Sequence, residues 1–446
     1  MAAVITCTSL LKPATSFQSS DTLIPLTIFD RAAFPGHVPH IFAFQSPTPS
    51  NKQLKQGLSQ VLSHFPHVAG RLTFDSKHQL CIALNNAGVR VVEVRVSSTL
   101  CKNISLEGTK NLKELYPSID EGIEELMQVQ LNRYMCGGLV IGMTCHHFLG
   151  DGQSISFFCS AWAQTVRAPG MHVLATPFLD RGAIVIPRKI PRTSFDHAII
   201  EFKKRVFNSI FDSCTTQNKA QNLTLHFSVD FISNLIALVP GGCTKFEGLL
   251  SHLWKKITAA RGLKGTDFTE IKIAVNCRGR VKPAVPMDFF GNMVLWAYPS
   301  LYVKDLLTSS YAQVVMVIRK AVAQLDDTYI KSFIDFGAIA SEKGEELSAT
   351  YPAPATSLSP HLEIDSSLGF RFSDLDFGYG PPSVFFQPNE PIEGSMEFSP
   401  SCKERGGVDV FLALSEDHID VFRQICYSIE ESAVGCKQIG ILESRL

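Results

Sequence analysis

Between Met127 and Val166 the chain changes its hydrophobic period, and that change limits the folds open to it. Met127, Val129 and Leu131 alternate with other residues, the pattern breaks at Gly137-Gly138, and it resumes with Leu139, Ile141, Met143 and Cys145. A period of two puts these side chains on one face of a strand, so the segment predicts two strands joined by a glycine-containing turn. Ile155, Phe158, Trp162 and Val166 then recur at roughly helical spacing, which predicts a helix starting near Gly152. The junction reads Cys145-His146-His147-Phe148-Leu149-Gly150-Asp151-Gly152. With the pleat continued, His147 shares the face of Leu139, Ile141, Met143 and Cys145, whereas His146 falls with Val140, Gly142 and Thr144. His147, with the carboxylate of Asp151 four positions on, can run proton-transfer chemistry near neutral pH.

The rest of the chain supplies the frame. Its 446 residues, 45% hydrophobic and 19% charged, suffice for two cores of an ordinary globular protein. The 41 basic and 42 acidic residues leave a net charge of -1, and no long run of Lys or Arg occurs. That balance points to small-molecule partners rather than nucleic acid or an anionic membrane surface. The 12 cysteines contain no CxxC pair and read as small buried residues of a reducing, cytoplasmic compartment, with no zinc or disulfide framework expected. The opening residues lack a secretory signal, and no run approaches the ~18 apolar residues of a membrane span. Ser444-Arg445-Leu446 stands one conservative step from the Ser-Lys-Leu peroxisomal address.

Asn51–Phe65 carries Leu54, Leu58, Val61, Leu62 and Phe65 at helical spacing, closed by Pro66. Thr244–Leu263 reads as a second helix, with Leu249, Leu250, Leu253 and Ile257 inward and Lys255 and Lys256 towards solvent. An apolar strand, Ile271–Val275, follows and leads to Arg278 and Arg280. A proline-containing region separates the halves, so the expected division is a domain over 1–180, a crossover over 181–220 and a second domain over 221–446.

His147-xxx-Asp151-Gly152 in the first half, with Asp376-Phe377-Gly378-Tyr379-Gly380 in the second, resembles the paired HxxxDG and DFGWG signatures of the plant BAHD acyl-CoA-dependent acyltransferases. Pro66-His67-Val68-Ala69-Gly70-Arg71-Leu72, Asn276-Cys277-Arg278-Gly279-Arg280 and Phe290-Gly291-Asn292 extend the resemblance over nearly the whole chain. Ile24–Asp30 and Tyr329–Phe336 look most similar to hydroxycinnamoyl-CoA amine acyltransferases of the agmatine coumaroyltransferase type. Asp376-Phe377-Gly378 also spells a kinase triplet, but no glycine-rich phosphate loop accompanies it.

The resemblance implies an α/β protein of two chloramphenicol-acetyltransferase-like domains, monomeric, with an active-site channel between them. It implies acyl-CoA as a co-substrate without a resident cofactor or metal, and transfer of an aromatic acyl group to an amine. An alcohol acceptor giving an ester, and a non-catalytic acyl-CoA-binding relative, are the alternatives; a condensation domain would require carrier neighbours. In this reading His147 is the general base, and Asp151 points away from the channel towards Arg278. Asp376, Gly378 and Gly380 are architectural, with Tyr379 in place of the usual tryptophan keeping an aromatic for packing. His40 and Phe42 stand where relatives line the substrate pocket, and Ser251, Lys255, Lys256 and Arg280 are the expected CoA contacts. Asn292 is expected to order a loop. Hydroxycinnamoyltransferases commonly carry a Ser-Trp pair where this chain has Ser366-Ser367, so Ser367 replaces an oxyanion-stabilising indole and leaves a roomier pocket.

Overall fold

The computed structural model describes residues 3–18, 22–103, 112–119, 122–170, 176–202, 220–345, 347, 357–370, 372, 375–388 and 391–429. The Ser444-Arg445-Leu446 terminus lies outside them. The anticipated hairpin forms from Met127–Tyr134 and Leu139–His146, paired antiparallel with Met127 opposite Cys145. It sits inside a six-stranded sheet ordered Ala3–Leu11, Val89–Val96, Met127–Tyr134, Leu139–His146, His37–Phe44 and Val384–Phe386. A seven-stranded sheet is built around Phe268–Asn276, Leu362–Ser366, Ser395–Pro400, Val408–Ser415 and Ala220–Phe227. Among the described residues, no helix is long and apolar enough to cross a membrane.

The helix after the hairpin spans Gly152–Arg167, and Asp151 is its N-cap, accepting from the Ser154 backbone N–H. Ile155, Phe158, Cys159, Trp162 and Val166 bury one stripe of this helix against the helix Asn51–His64. The latter opens with a reciprocal Ser50–Gln53 capping box, and its Leu54, Leu58, Val61 and Leu62 face the same core. Two more bonds lock the pair: Trp162 Nε1–H to the Leu54 carbonyl at 3.0 Å and Thr165 Oγ1–H to the Gly57 carbonyl at 3.0 Å. Each replaces a hydrogen bond to water that burial removes. This packed helix pair holds the end of the histidine strand.

The two cores do not follow the chain order. Ile28 and Phe29, from the first half, pack into the second core against the helix Asp327–Glu342. Conversely Phe372, Leu375, Phe377 and Phe385 complete the first core, and Val384–Phe386 adds a strand beside His37–Phe44. The described part of the 181–220 crossover is also no free tether. Arg181 is buried, Arg188 pairs with Asp335, and the His197 ring bonds Ser332. The halves therefore exchange elements across the surface where they meet.

Candidate active site

His147 stands half-buried at that junction, its backbone N–H continuing the sheet ladder to the Gly36 carbonyl. Strand parity places its side chain beside His40 and Phe42, whose register partners Met143 and Ile141 lie on the same face. His146 points to the other face, stacked edge-on against His37, and burial pushes its imidazole down to about 4.

Asn292, from the second half, orients the His147 ring. Its Nδ2 donates to the His147 carbonyl at 2.8 Å and to Asp30 Oδ1 at 3.0 Å, which fixes which end of the amide is which. The remaining Oδ1 faces His147 Nδ1 at 3.1 Å and can only accept. His147 therefore carries its proton on Nδ1, and Nε2 keeps a free lone pair.

Asp30, fully buried, also accepts the Asn292 backbone N–H at 3.1 Å and pairs with Arg181 at 2.9 Å. Arg181 in turn donates to the carbonyls of Phe148 and Leu149, the two residues after the histidine, at 3.1 and 2.6 Å. Four separate segments, the histidine's own among them, thus form one hydrogen-bonded network behind the imidazole. Replacing Asn292 by alanine is expected to lower kcat about 10²-fold, because a misplaced ring loses its approach geometry. Steady-state kinetics should show KM little changed; an equal loss confined to KM would contradict the orienting role.

Asp151 faces away from His147. Its carboxylate makes a two-pronged pair with Arg278, at 2.7 and 3.0 Å, and accepts the Met293 N–H at 3.0 Å. Arg278 additionally donates to the Gly291 carbonyl at 2.9 Å. The pair therefore ties the histidine loop to the 291–293 segment that carries Asn292, a supporting arrangement of the kind that the motif resemblance implies. The motif glycine has its own reason: a Cβ on Gly152 would lie 2.4 Å from the Phe370 ring.

Asp376 organises the loop that follows it. One carboxylate oxygen accepts the N–H groups of Gly378, Tyr379 and Gly380 at 2.7, 3.0 and 2.8 Å, wrapping the chain around a fixed anion. Gly378 and Gly380 both have φ of +105°, the left-handed region that a side chain disfavours. The packing aromatic of this motif is Phe377, stacked edge-on to Trp162 and Phe44. Tyr379 is 52% exposed, which corrects the expectation that it keeps the packing of the usual tryptophan.

Other expectations are overturned by burial. Phe42 is fully covered beneath Phe372 and Phe385, and His40 is 3% exposed, so both back the site rather than present a surface to substrate. Burial pushes the His40 imidazole down to about 4, keeping it neutral at pH 7. The Ser367 hydroxyl bonds the Phe398 carbonyl at 3.1 Å and Ser399 at 2.8 Å, so it is not an oxyanion donor aimed at the reaction.

The expected CoA contacts on the helix Lys245–Ala260 fail for a different reason. Ser251 is buried and bonded to the Gly248 carbonyl. Lys255 and Lys256 do not face solvent, because the helices Tyr311–Ala323 and Glu416–Ile425 cover both flanks. Lys255 donates to the Ser309 carbonyl and Lys256 to the Ser428 hydroxyl. Arg280 fares differently: it lines a 580 Å³ groove with Phe246, Ala274, Asn276 and Val322. Asn276 bonds Gln153 in the first turn of the helix after Asp151, so this groove adjoins the histidine loop.

Sequence periodicity had no means to find Asn292 as the orienting group, nor Asp30 and Arg181 behind it. The signal available was the buried Asp30 four residues after Leu26, inside a capping box with Thr27, which marks a helix start but says nothing of its distant partner.

A family model described as the Transferase family matches residues 2–428. The chain is 50% identical over 409 residues to tryptamine hydroxycinnamoyltransferase 2 of Oryza sativa subsp. japonica, covering 91% of this chain and 93% of that protein. It is 36% identical over 414 residues to agmatine coumaroyltransferase-1 of Hordeum vulgare, covering 92% and 94% respectively. The crystal structure of vinorine synthase shares the fold, with a TM-score of 0.72 over 94% of this chain and 96% of that one, at 20% identity.

Proposed function

Because the chain belongs to the Transferase family, the BAHD acyl-CoA-dependent acyltransferases, we propose that it moves an aromatic acyl group from acyl-CoA to an amine and so forms an amide. One observation carries the acceptor class: relatives matched over 91% and 92% of the chain are named for amine acceptors and for hydroxycinnamoyl or coumaroyl donors.

The residues supply the chemistry. The amine nitrogen attacks the thioester carbonyl while His147 Nε2 takes its proton, Nδ1–H being held by Asn292. The tetrahedral intermediate collapses with cleavage of the carbon–sulfur bond. The departing thiolate takes the same proton back from the imidazolium, so the enzyme returns to its starting state without a covalent intermediate. Asp151 and Arg278 keep the histidine loop and Asn292 in register and exchange no proton.

We place the phosphates of CoA in the groove that holds Arg280, whose guanidinium donates to the Val322 carbonyl at 3.0 Å. Arg280→Ala is expected to raise KM for acyl-CoA about tenfold with kcat nearly unchanged, since a cation lost from ground-state binding acts uniformly. A fall in kcat with constant KM would move the CoA elsewhere. The function itself is tested by incubating the purified protein with aromatic and aliphatic acyl-CoAs against pooled amines and alcohols, read by mass spectrometry. Amide products are expected with aromatic donors; ester alone would overturn the reading.

A further inference from the structure

At the turn of the hairpin Met127–Tyr134 and Leu139–His146, two exposed thiols come together. The sequence reads its cysteines as buried residues, yet Cys7, Cys101 and Cys136 are exposed. Cys136 sits in the turn itself, and the 8 residues of the second strand carry the chain from there to His147, roughly 25 Å away at ~3.4 Å per residue.

The segment after the strand Val89–Val96 is pinned along this turn. Met135 N–H donates to the Ser98 carbonyl at 3.1 Å, and Leu100 N–H to Cys136 Sγ at 3.3 Å. Leu100, 2% exposed, packs over Gly138, where a Cβ would lie 3.1 Å from Leu100 Cδ2. Cys101 comes next in the chain, with its Sγ 3.5 Å from Thr99 Oγ1. One residue spacing, ~3.8 Å, separates Cys101 from the residue that holds the Cys136 sulfur. A disulfide accepts Cα separations of ~4.4–6.8 Å. Turning Cys101 away from Thr99 is the rearrangement that the bond requires.

Cys136 also has the character of a nucleophile. The N–H groups of Leu100 and Gly138 point at its sulfur and outweigh the slight burial there, so the thiol falls below its ordinary value. Burial acts the other way on Cys145 and Cys277, pushing both up to about 12. The thiolate is the attacking species, and an exposed one beside a second thiol is where oxidants act first.

We propose that Cys136 is a peroxide-reactive thiol and Cys101 its resolving partner, the two closing a reversible disulfide across the hairpin turn. The Cys136 thiolate attacks hydrogen peroxide: a sulfur–oxygen bond forms, the oxygen–oxygen bond breaks, and the departing hydroxide takes up the proton that the thiol had lost. The Cys101 thiolate then attacks the sulfenic sulfur of Cys136. A sulfur–sulfur bond forms, the sulfur–oxygen bond breaks, and hydroxide leaves with the proton from Cys101 as a second water. Both sulfurs are oxidised and the peroxide is reduced. His147, at the other end of the strand, takes no part.

In the full chain, iodoacetamide is expected to label Cys136 about tenfold faster than Cys7 or Cys101 at neutral pH. After hydrogen peroxide and alkylation of the remaining thiols, peptide mass spectrometry should find Cys101 joined to Cys136 within one chain, and dithiothreitol should reverse the bond. In Cys101→Ser the same treatment leaves Cys136 as a sulfenic acid that dimedone traps, whereas in Cys136→Ser Cys101 stays a thiol. Thermal melting checks that both variants fold; the labelling rates and the linked peptide of the unsubstituted protein decide the matter if either does not. Equal labelling of the three exposed cysteines overturns the nucleophile. A Cys136 sulfenic acid that persists in the unsubstituted protein, or a bridge found only between two chains on a non-reducing gel, overturns the pair.

Discussion

His147→Ala is expected to lower kcat/KM for acyl transfer by about 10²–10⁴-fold, the usual contribution of a positioned general base. The folded protein should survive the change, because His147 is half-buried and its ring makes one described hydrogen bond, to Asn292 Oδ1. Thermal melting should therefore shift little while turnover collapses. His146→Ala is the paired control: that ring lies on the opposite face of the strand, against His37 and Phe148. Its loss is expected to cost only a few-fold in rate. Equal loss from both substitutions would mean that the assignment by strand parity is wrong.

Arg278→Ala is expected to destabilise the protein by about 3–5 kcal/mol, since it strands a buried carboxylate. Both partners are buried, with side chains 1% and 4% exposed, so solvent screening gives no relief. The sign of the pH dependence follows from Asp151. Burial pushes its carboxyl up, but Arg278 and the N–H groups of Ser154 and Met293 outweigh that and hold it below its ordinary 3.8. A depressed folded value contributes stability that is complete above the unfolded pKa and is lost as pH falls through the folded one. The gap between wild type and variant in denaturant midpoint should be widest near neutrality and narrow below about pH 4. A gap that stays constant into acid would show that Arg278 acts by packing alone.

Local periodicity read much of the scaffold correctly because it depends only on neighbours within one element. The hairpin, the helix after Asp151 and the helix Asn51–His64 all follow from spacing. The same reasoning failed at Lys255 and Lys256. Their charge marks a solvent face only when nothing else covers it, and two helices from later in the chain do. Ser367 failed alike: its hydroxyl bonds Ser399 on the neighbouring strand.

What the amino-acid order determined here is which residues are the candidates for the base and for its brace. His147 follows from the period-two pattern that ends at it, and Asp151 with Arg278 from motif residues read together. Tertiary structure alone decided which nitrogen of His147 is free, through contacts between residues 145 and 262 positions apart. It also brought Gln387 between Glu397, to which its amide nitrogen donates, and His40, from which its amide oxygen accepts. A side chain's partner across such distances is set by how sheets and cores dock, and no periodicity within one segment carries that information.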